Sequence, residues 1–157
     1  MKNLRTYLLC AFMAMYSFYS HAQVQKIRIN EPDYNKPRLF QGLPEIIPFN
    51  PDIFFGLLNK QPGSVISTSL STDSQVPFEG RIASSSTAPD GRIQQIAIRS
   101  TNFAGATFSL SKVQTDDGIV KYNGILMSFQ HGDLYVLQQA EGHFILVKKN
   151  YYDLVNE

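Results

Sequence analysis

The stretch LYVLQQAEGHFILVKK, residues 134–149, consists of two apolar runs separated by the turn-forming residues 140–142. Each run is short and rich in β-branched or aromatic residues, which is typical of a β-strand. A glycine-containing connection of this length between two such runs predicts a β-hairpin. In each run apolar residues occupy odd and even positions alike. The sequence therefore predicts a final hairpin that is covered on both of its faces.

From Ser64 to this hairpin the chain has the same pattern of short apolar runs separated by turn residues. Turn signals occur at residues 88–91 (APDG) and 115–118 (TDDG) and divide it into short strand-like runs. In RIQQIAIRS, Ile96 and Ile98 share one face while polar residues occupy the other, as in a strand with one solvated side. The runs that precede the final hairpin are SVISTSLS, FEGRIASSS, RIQQIAIRS, AGATFSLSKVQ and IVKYNGILMSF.

Together these seven runs predict an all-β domain over residues 63–157. Hairpin-sized gaps between consecutive runs favour a small antiparallel meander, arranged as a barrel or a sandwich. The sequence contains no glycine-rich phosphate loop after a strand and no alternation of strands with helices. These absences exclude the nucleotide-binding α/β folds.

Residues 23–62 form a Pro-rich apolar arm in this interpretation, because residues 31–63 hold six of the eight prolines. We expect no regular sheet there, since proline cannot donate a hydrogen bond to a strand ladder. The segment is nevertheless too apolar for a disordered linker. Within it, the pattern Asn50-Pro51-Asp52, followed by apolar residues at helical spacing, predicts a short helix over residues 51–59.

A helix of this length is marginally stable on its own, so it must dock on the sheet. We expect the arm and its helix to lie over the outer face of the last hairpin, or to plug an end of the barrel. The alternative is that this outer face stays open for a binding partner, with which the arm could compete.

The N-terminal residues MKNLRTYLLCAFMAMYSFYSHAQ predict a secretory signal peptide over residues 1–22, cleaved between Ala22 and Gln23. Its apolar run is shorter than the about 20 residues of a membrane-spanning helix, so we predict no membrane span. Cleavage removes the only cysteine, which excludes a thiol nucleophile, a thiolate zinc site and a redox dithiol. It also leaves twelve basic against 13 acidic residues. A formal charge of −1 provides no basic field for nucleic acid or anionic membrane.

Polar residues with reactive side chains occur around the final hairpin at His131, Asp133 and His143. With a three-residue loop at 140–142, the two histidines would stand roughly 26 Å apart, since a strand rises about 3.3 Å per residue. They cannot share a metal ion, and Asp133 after Gly132 is typical of a turn. No serine lies in a G-x-S-x-G context. We therefore predict no catalytic residue, no metal site and no cofactor.

A weak internal echo relates residues 78–84 (FEGRIAS) to residues 122–128 (YNGILMS). Both have an aromatic residue, then glycine two positions later, then an aliphatic residue and serine. Glycine inside a strand is typical of a bulge or a sharp bend. We therefore predict that the echo marks places where the sheet curls.

The leading functional prediction is a secreted or periplasmic, non-catalytic β-domain that binds a protein or peptide partner. Aromatic side chains and exposed strand edges are the usual means of such binding. The alternative is a small β-barrel that carries an apolar small molecule, and a third is a protease inhibitor or prosegment-like domain. The oligomeric state is left open. The candidate partner-binding residues are Phe54, Phe55, Leu58, Tyr151 and Tyr152.

Overall fold

The computed structural model describes residues 35–73 and 75–154. The predicted signal peptide with its cleavage point, and residues 23–34 of the predicted arm, lie outside this part of the chain. Among the described residues, no helix is long and apolar enough to cross a membrane.

The described residues form one antiparallel sheet, one short α-helix (α1, Pro51–Phe55) and a C-terminal 3₁₀ helix (Tyr151–Leu154). The strands are β1 (Ile46–Phe49), β2 (Val65–Ser69), β3 (Pro77–Thr87), β4 (Ile93–Ser100), β5 (Thr107–Gln114), β6 (Val120–Met127), β7 (Asp133–Ala140) and β8 (His143–Asn150).

The strand order across the sheet is β1-β8-β7-β6-β5-β4-β3-β2. From β2 to β8 every strand pairs with the next one in sequence, which confirms the predicted all-β antiparallel meander. Of the architectures left open by the sequence, the chain adopts a single sheet that curls into a half-barrel.

Strand β1 corrects the expectation that the Pro-rich arm contains no regular sheet. It pairs with β8 at the edge of the sheet although it contains Pro48. The Pro48 carbonyl points away from β8 and accepts a hydrogen bond from the backbone N–H of Thr72, at 3.0 Å. Because the nitrogen of a strand residue points to the same side as its carbonyl, the missing N–H removes no bond to β8. The same contact brings the β2–β3 connection against the edge of β1.

Helix α1 begins as predicted and ends earlier than predicted. The Asn50 side chain accepts a hydrogen bond from the N–H of Asp52 at 3.0 Å, and Pro51 occupies the first helical position. The α-helix stops at Phe55 instead of residue 59. The chain continues in turns, with the N–H of Leu57 bonded to the Phe54 carbonyl three residues earlier. Gly56 follows the last helical residue and is a poor helix former.

The inner face of the half-barrel is the hydrophobic core, and α1 packs on it. Phe54 is fully buried, with its ring centroid 5.1 Å from that of Phe108, 5.3 Å from Phe49 and 6.0 Å from Phe78. The expectation that the helix covers the outer face of the last hairpin is therefore wrong. The inner face has the larger unfilled apolar area, because a half-barrel has no opposite wall of strands to cover it.

A second aromatic group fills the place where β6 and β7 diverge. Strand β6 pairs with β7 only over Ile125–Met127 but with β5 along its whole length. On the inner face beyond this short pairing, the ring of Tyr122 contacts Phe55 and Phe144, at centroid distances of 5.7 Å and 5.0 Å. Helix α1 therefore also closes the gap between these two strands.

The start of β7 anchors the arm through a buried carboxylate. Asp133 is 2% exposed, and its two oxygens accept hydrogen bonds from the backbone N–H groups of Leu39 and Phe40, at 2.6 Å and 2.8 Å. The neighbouring Gly132 donates its own N–H to the Pro37 carbonyl. The two hydrogen bonds stabilise the negative charge of the carboxylate and give the N–H groups of two loop residues an acceptor. Asp133 holds Phe40 against the core.

We expect Asp133→Asn to lower the free energy of unfolding by about 2–3 kcal/mol, because charge-assisted hydrogen bonds are lost and an amide N–H₂ faces backbone donors. Urea unfolding followed by circular dichroism measures this change. Asp117→Asn, in an exposed turn, is the matched control and should change stability by less than about 0.5 kcal/mol. Equal effects of the two substitutions would contradict the anchoring role.

The two glycines of the internal echo, Gly80 and Gly124, lie on the inner face at points of close approach. A Cβ on Gly80 would lie 2.5 Å from the Arg99 carbonyl oxygen, and one on Gly124 would lie 2.5 Å from the Leu110 side chain. The bulge predicted for the echo lies nearby instead, at Ala83, where the β3–β4 register shifts by one residue. The glycines thus allow a backbone carbonyl and a leucine side chain to approach the strands closely on the inner face.

Gly80→Ala should destabilise the protein by about 2–3 kcal/mol and Gly124→Ala by about 1–2 kcal/mol, since a backbone carbonyl yields less than a leucine side chain. Gly42→Ala is the control, because no atom beyond its chain neighbours lies within 4 Å of the place that a Cβ would take. Chemical denaturation curves of the three variants test this order. A Gly80→Ala protein as stable as the Gly42→Ala protein would refute the close approach.

Candidate binding surface

Three of the predicted partner-binding residues lie in the interior. Phe54 is fully buried and Phe55 is 9% exposed, both within the core described above. Leu58 is half-buried and packs against the same core. These side chains hold the arm on the inner face, and in this conformation the rings of Phe54 and Phe55 are not accessible to a partner.

The other two predicted residues, Tyr151 and Tyr152, lie together in the 3₁₀ helix after β8. Their rings meet edge to face at 5.6 Å, with Tyr152 buried and Tyr151 half-buried. The Lys36 ammonium lies 5.0 Å from the Tyr151 ring centroid, and the Tyr151 N–H donates to the Gly132 carbonyl. The tyrosine pair packs the C-terminal 3₁₀ helix beside the start of β7, at a different place on the sheet from α1. The structure thus divides the predicted residues between two separate places.

The histidines lie at opposite ends of the β7–β8 hairpin, as predicted. The hairpin loop contains two residues instead of three, since Ala140 pairs directly with His143. Glu141 and Gly142 both have positive φ angles, 51° and 83°, which is the geometry of a type I′ turn. His131 lies beyond the other end, with Nδ1 2.9 Å from the Ser128 hydroxyl. Within the described residues, no three His, Cys, Asp or Glu side chains are placed to hold a metal ion.

Two tyrosine hydroxyls have pKa values raised above the ordinary value. Burial is the main cause of the raised pKa of Tyr135, with further contributions from the negative charges of Glu45 and Asp133. For Tyr122, burial raises the pKa first, and the hydrogen bond and charge of Asp52 add to it. Tyr122 donates to Asp52 at 3.0 Å, and Tyr135 donates to the Pro44 carbonyl. Both hydroxyls stay protonated at neutral pH and act as donors that tie the arm to the sheet.

The outer face of the last strands carries a row of aliphatic side chains that we call the aliphatic band. The register places the band residues side by side: Val147 pairs with Ile46 and Val136, and Val136 pairs with Ile125. Because neighbours in a strand alternate between faces, these residues point away from Leu146 and the core. Ile46 is 55% exposed and the others are half-buried. The band consists of Ile46, Ile125, Val136, Ile145 and Val147.

Two depressions flank the aliphatic band. The first lies on the outer face of β3–β6 and is lined by small polar side chains such as Ser84, Ser109 and Asn123. The second, which we call the end pocket, has a volume of about 590 Å³ and lies between the start of α1, residues 72–73 and the β7–β8 turn. The side chains that line the end pocket include Phe49, Phe144, Asp52, Asp73 and His143.

The two-sided apolar pattern of residues 134–149 was the sequence signal for the aliphatic band. It indicated that both faces of the hairpin are apolar, but it could not indicate which face the arm covers. The described part of the arm covers the inner face, while on the outer face the band residues keep part of their surface exposed and Leu134 is fully buried. A comparison of the chain with protein-family models, curated proteins and solved structures finds no match.

Proposed function

We propose that the protein is a secreted or periplasmic binding module without catalytic activity, which recognises a protein or peptide partner through the aliphatic band. The observation that carries this proposal is the exposure of Ile46 and the partial exposure of its neighbours, on the face opposite to the one that the described part of the arm covers. Contiguous apolar surface on a protein exported into water is typical of an interaction site.

The geometry of the band suits a protein or peptide surface. Its members lie across β6, β7, β8 and β1, and adjacent strands are about 4.8 Å apart, so the band extends for about 14 Å across the sheet. Aliphatic side chains on a sheet face offer dispersion contacts but few directional polar groups. They therefore favour an apolar surface of a partner over a small polar ligand.

The packed inner side of the half-barrel favours a binding site on the surface over a ligand held inside the fold. Rings from α1 and from strands β1, β3 and β5 meet in the core at centroid distances of 5.1–6.0 Å. A lipid carrier of barrel form needs a lined space at this place. In this protein the space is occupied by Phe54.

Val147→Lys is expected to reduce recovery of the partner by at least about tenfold, because a charge at the centre of an apolar contact must be desolvated. The measurement is chemical cross-linking in the host's envelope and culture medium, followed by quantitative mass spectrometry of the captured proteins. Gln95→Lys adds the same charge to an exposed polar position of the outer face and is the matched control.

Thermal melting of both variants establishes that they are folded. If Val147→Lys proves unstable, Ile46→Lys at the exposed edge of the band replaces it. Capture of the same proteins in the same amounts by the wild type, the band variant and the Gln95→Lys control would refute binding through the band.

The end pocket favours a second function, the binding of an apolar small molecule. Its aromatic lining from Phe49 and Phe144 offers an apolar floor, while the carboxylates of Asp52 and Asp73 could hold a polar end of the ligand. This candidate corresponds to the ligand-carrier alternative, but with the ligand at the surface of the half-barrel instead of its interior.

Native mass spectrometry of freshly purified protein tests this second function. We expect a stoichiometric adduct of small-molecule mass that is lost in Phe144→Ala and kept in Phe129→Ala, since Phe129 is 75% exposed and lies outside the pocket. A wild-type spectrum without an adduct, also after extraction with organic solvent, would exclude a co-purifying ligand.

A further inference from the structure

Two arginines lie directly opposite each other on the outer face of the sheet. Arg81 of β3 pairs in register with Arg99 of β4, and both are exposed. Side chains at directly opposed positions have Cβ atoms about 5 Å apart. Like charges at this separation repel each other, so the pair destabilises the free protein.

Neither arginine has a carboxylate partner within residues 35–73 and 75–154. The ion pairs in this part of the chain join Arg92 to Asp90 and Asp116, and Lys148 to Glu45. Arg81 donates one long hydrogen bond, 3.4 Å, to the Gly63 carbonyl. Glu79 is also on the outer face, two residues before Arg81, and forms no ion pair with it. Most guanidinium donors of the two arginines therefore face solvent.

The arginine pair adjoins the aliphatic band. Along the row of directly paired residues, Arg99 is followed by Thr107 and then by the half-buried Met127, which is two residues from Ile125 of the band. The next residue of the row, Leu134 of β7, is fully buried, so the pair reaches the band through Met127 and Ile125 of β6. From β4 to β6 the row crosses two strand spacings, about 10 Å, which about three residues of an extended peptide cover at roughly 3.3 Å each.

We propose that the partner binds as an extended acidic segment, with one or two Asp or Glu side chains on Arg81 and Arg99 and aliphatic side chains on the band. This inference rests on the proposed binding function and defines the chemistry of the partner. A carboxylate between the two guanidiniums accepts charge-assisted hydrogen bonds and removes their mutual repulsion. The binding free energy then includes both effects.

The number of charges favours an acidic peptide over a polyanion. Recruitment to nucleic acid or to an anionic membrane needs a cluster of basic residues. The outer face of the described strands carries the pair with Glu79 beside it, Lys149 at the far end of the same row and Lys121 on β6, so its basic residues are dispersed. Two guanidiniums beside aliphatic side chains match a few carboxylates in an otherwise apolar segment.

Selection of displayed random decapeptides on the purified protein tests this inference. Wild-type protein should select peptides in which Asp or Glu occurs three or four positions from Leu, Ile, Val or Phe. Binding of a selected peptide, measured by fluorescence anisotropy, should weaken by about tenfold in Arg81→Gln/Arg99→Gln, the loss expected for a charge-assisted contact. The same peptide should bind the Gln95→Lys control as it binds the wild type.

The double variant should select peptides that keep the aliphatic residues and lose the acidic ones. Its melting temperature should be no lower than that of the wild type, because the substitution removes a repulsion. Wild-type pools without acidic enrichment overturn this inference and leave the proposed function standing. If the wild type selects peptides that bind no more tightly than those selected by Val147→Lys, the proposed function itself is contradicted.

A comparison of binding to vesicles of phosphatidylglycerol and to vesicles of phosphatidylcholine completes the experiment. Binding to the anionic vesicles that requires Arg81 and Arg99, together with peptide pools lacking acidic residues, would assign the pair to a lipid surface and overturn the inference. Equal and weak binding to both vesicles is the expected result.

Discussion

The packing of Phe54 on the inner face of the curled sheet is the contact on which the rest of the structure depends. A half-barrel has an apolar inner wall but no strands on its open side to bury it. Phe54 covers this side by meeting Phe49, Phe78 and Phe108. Burial of apolar area is the main favourable contribution to folding. The segment that carries Phe54 is consequently part of the core.

Polar contacts fix where the arm lies on the sheet. Asp133 binds two amides at one point, and Lys148 donates to the Leu43 carbonyl and the Glu45 carboxylate at another. Hydrophobic burial is not directional, so on its own it would permit several positions of the arm. Buried charges that need particular partners exclude the alternatives, because an unpaired buried charge is strongly unfavourable.

The outer face follows from this use of the arm. Once the described part of the arm fills the inner side, the aliphatic band on β1, β6, β7 and β8 keeps part of its surface exposed, most of all at Ile46. The arginine pair on the same face is a second feature that folding does not explain, since it opposes stability. The band is the basis of the proposed function, and the arginine pair is the basis of the further inference about the chemistry of the partner.

Local patterns sufficed for the strands, their meander order and the start of α1, because hairpin turns and helix caps are encoded within a few neighbouring residues. They failed where distant segments meet. The prolines around Pro48 predict that no strand forms there. A strand at the edge of a sheet nevertheless tolerates a proline. The pairing of Arg81 with Arg99 also escaped prediction, because the extra residue at Ala83 shifts the β3–β4 register by one. A shift of one residue changes which side chains share a face.

The sequence by itself determined that the chain is an antiparallel β protein, that its last hairpin is apolar on both faces, and that its arm is too apolar to remain solvated. Periodicity and turn residues carry this information locally. Only the tertiary structure decided which face the arm covers and which residues remain exposed as a surface. That choice depends on the curvature of the sheet and on the long-range contacts of Phe54 and Asp133, which no local pattern contains.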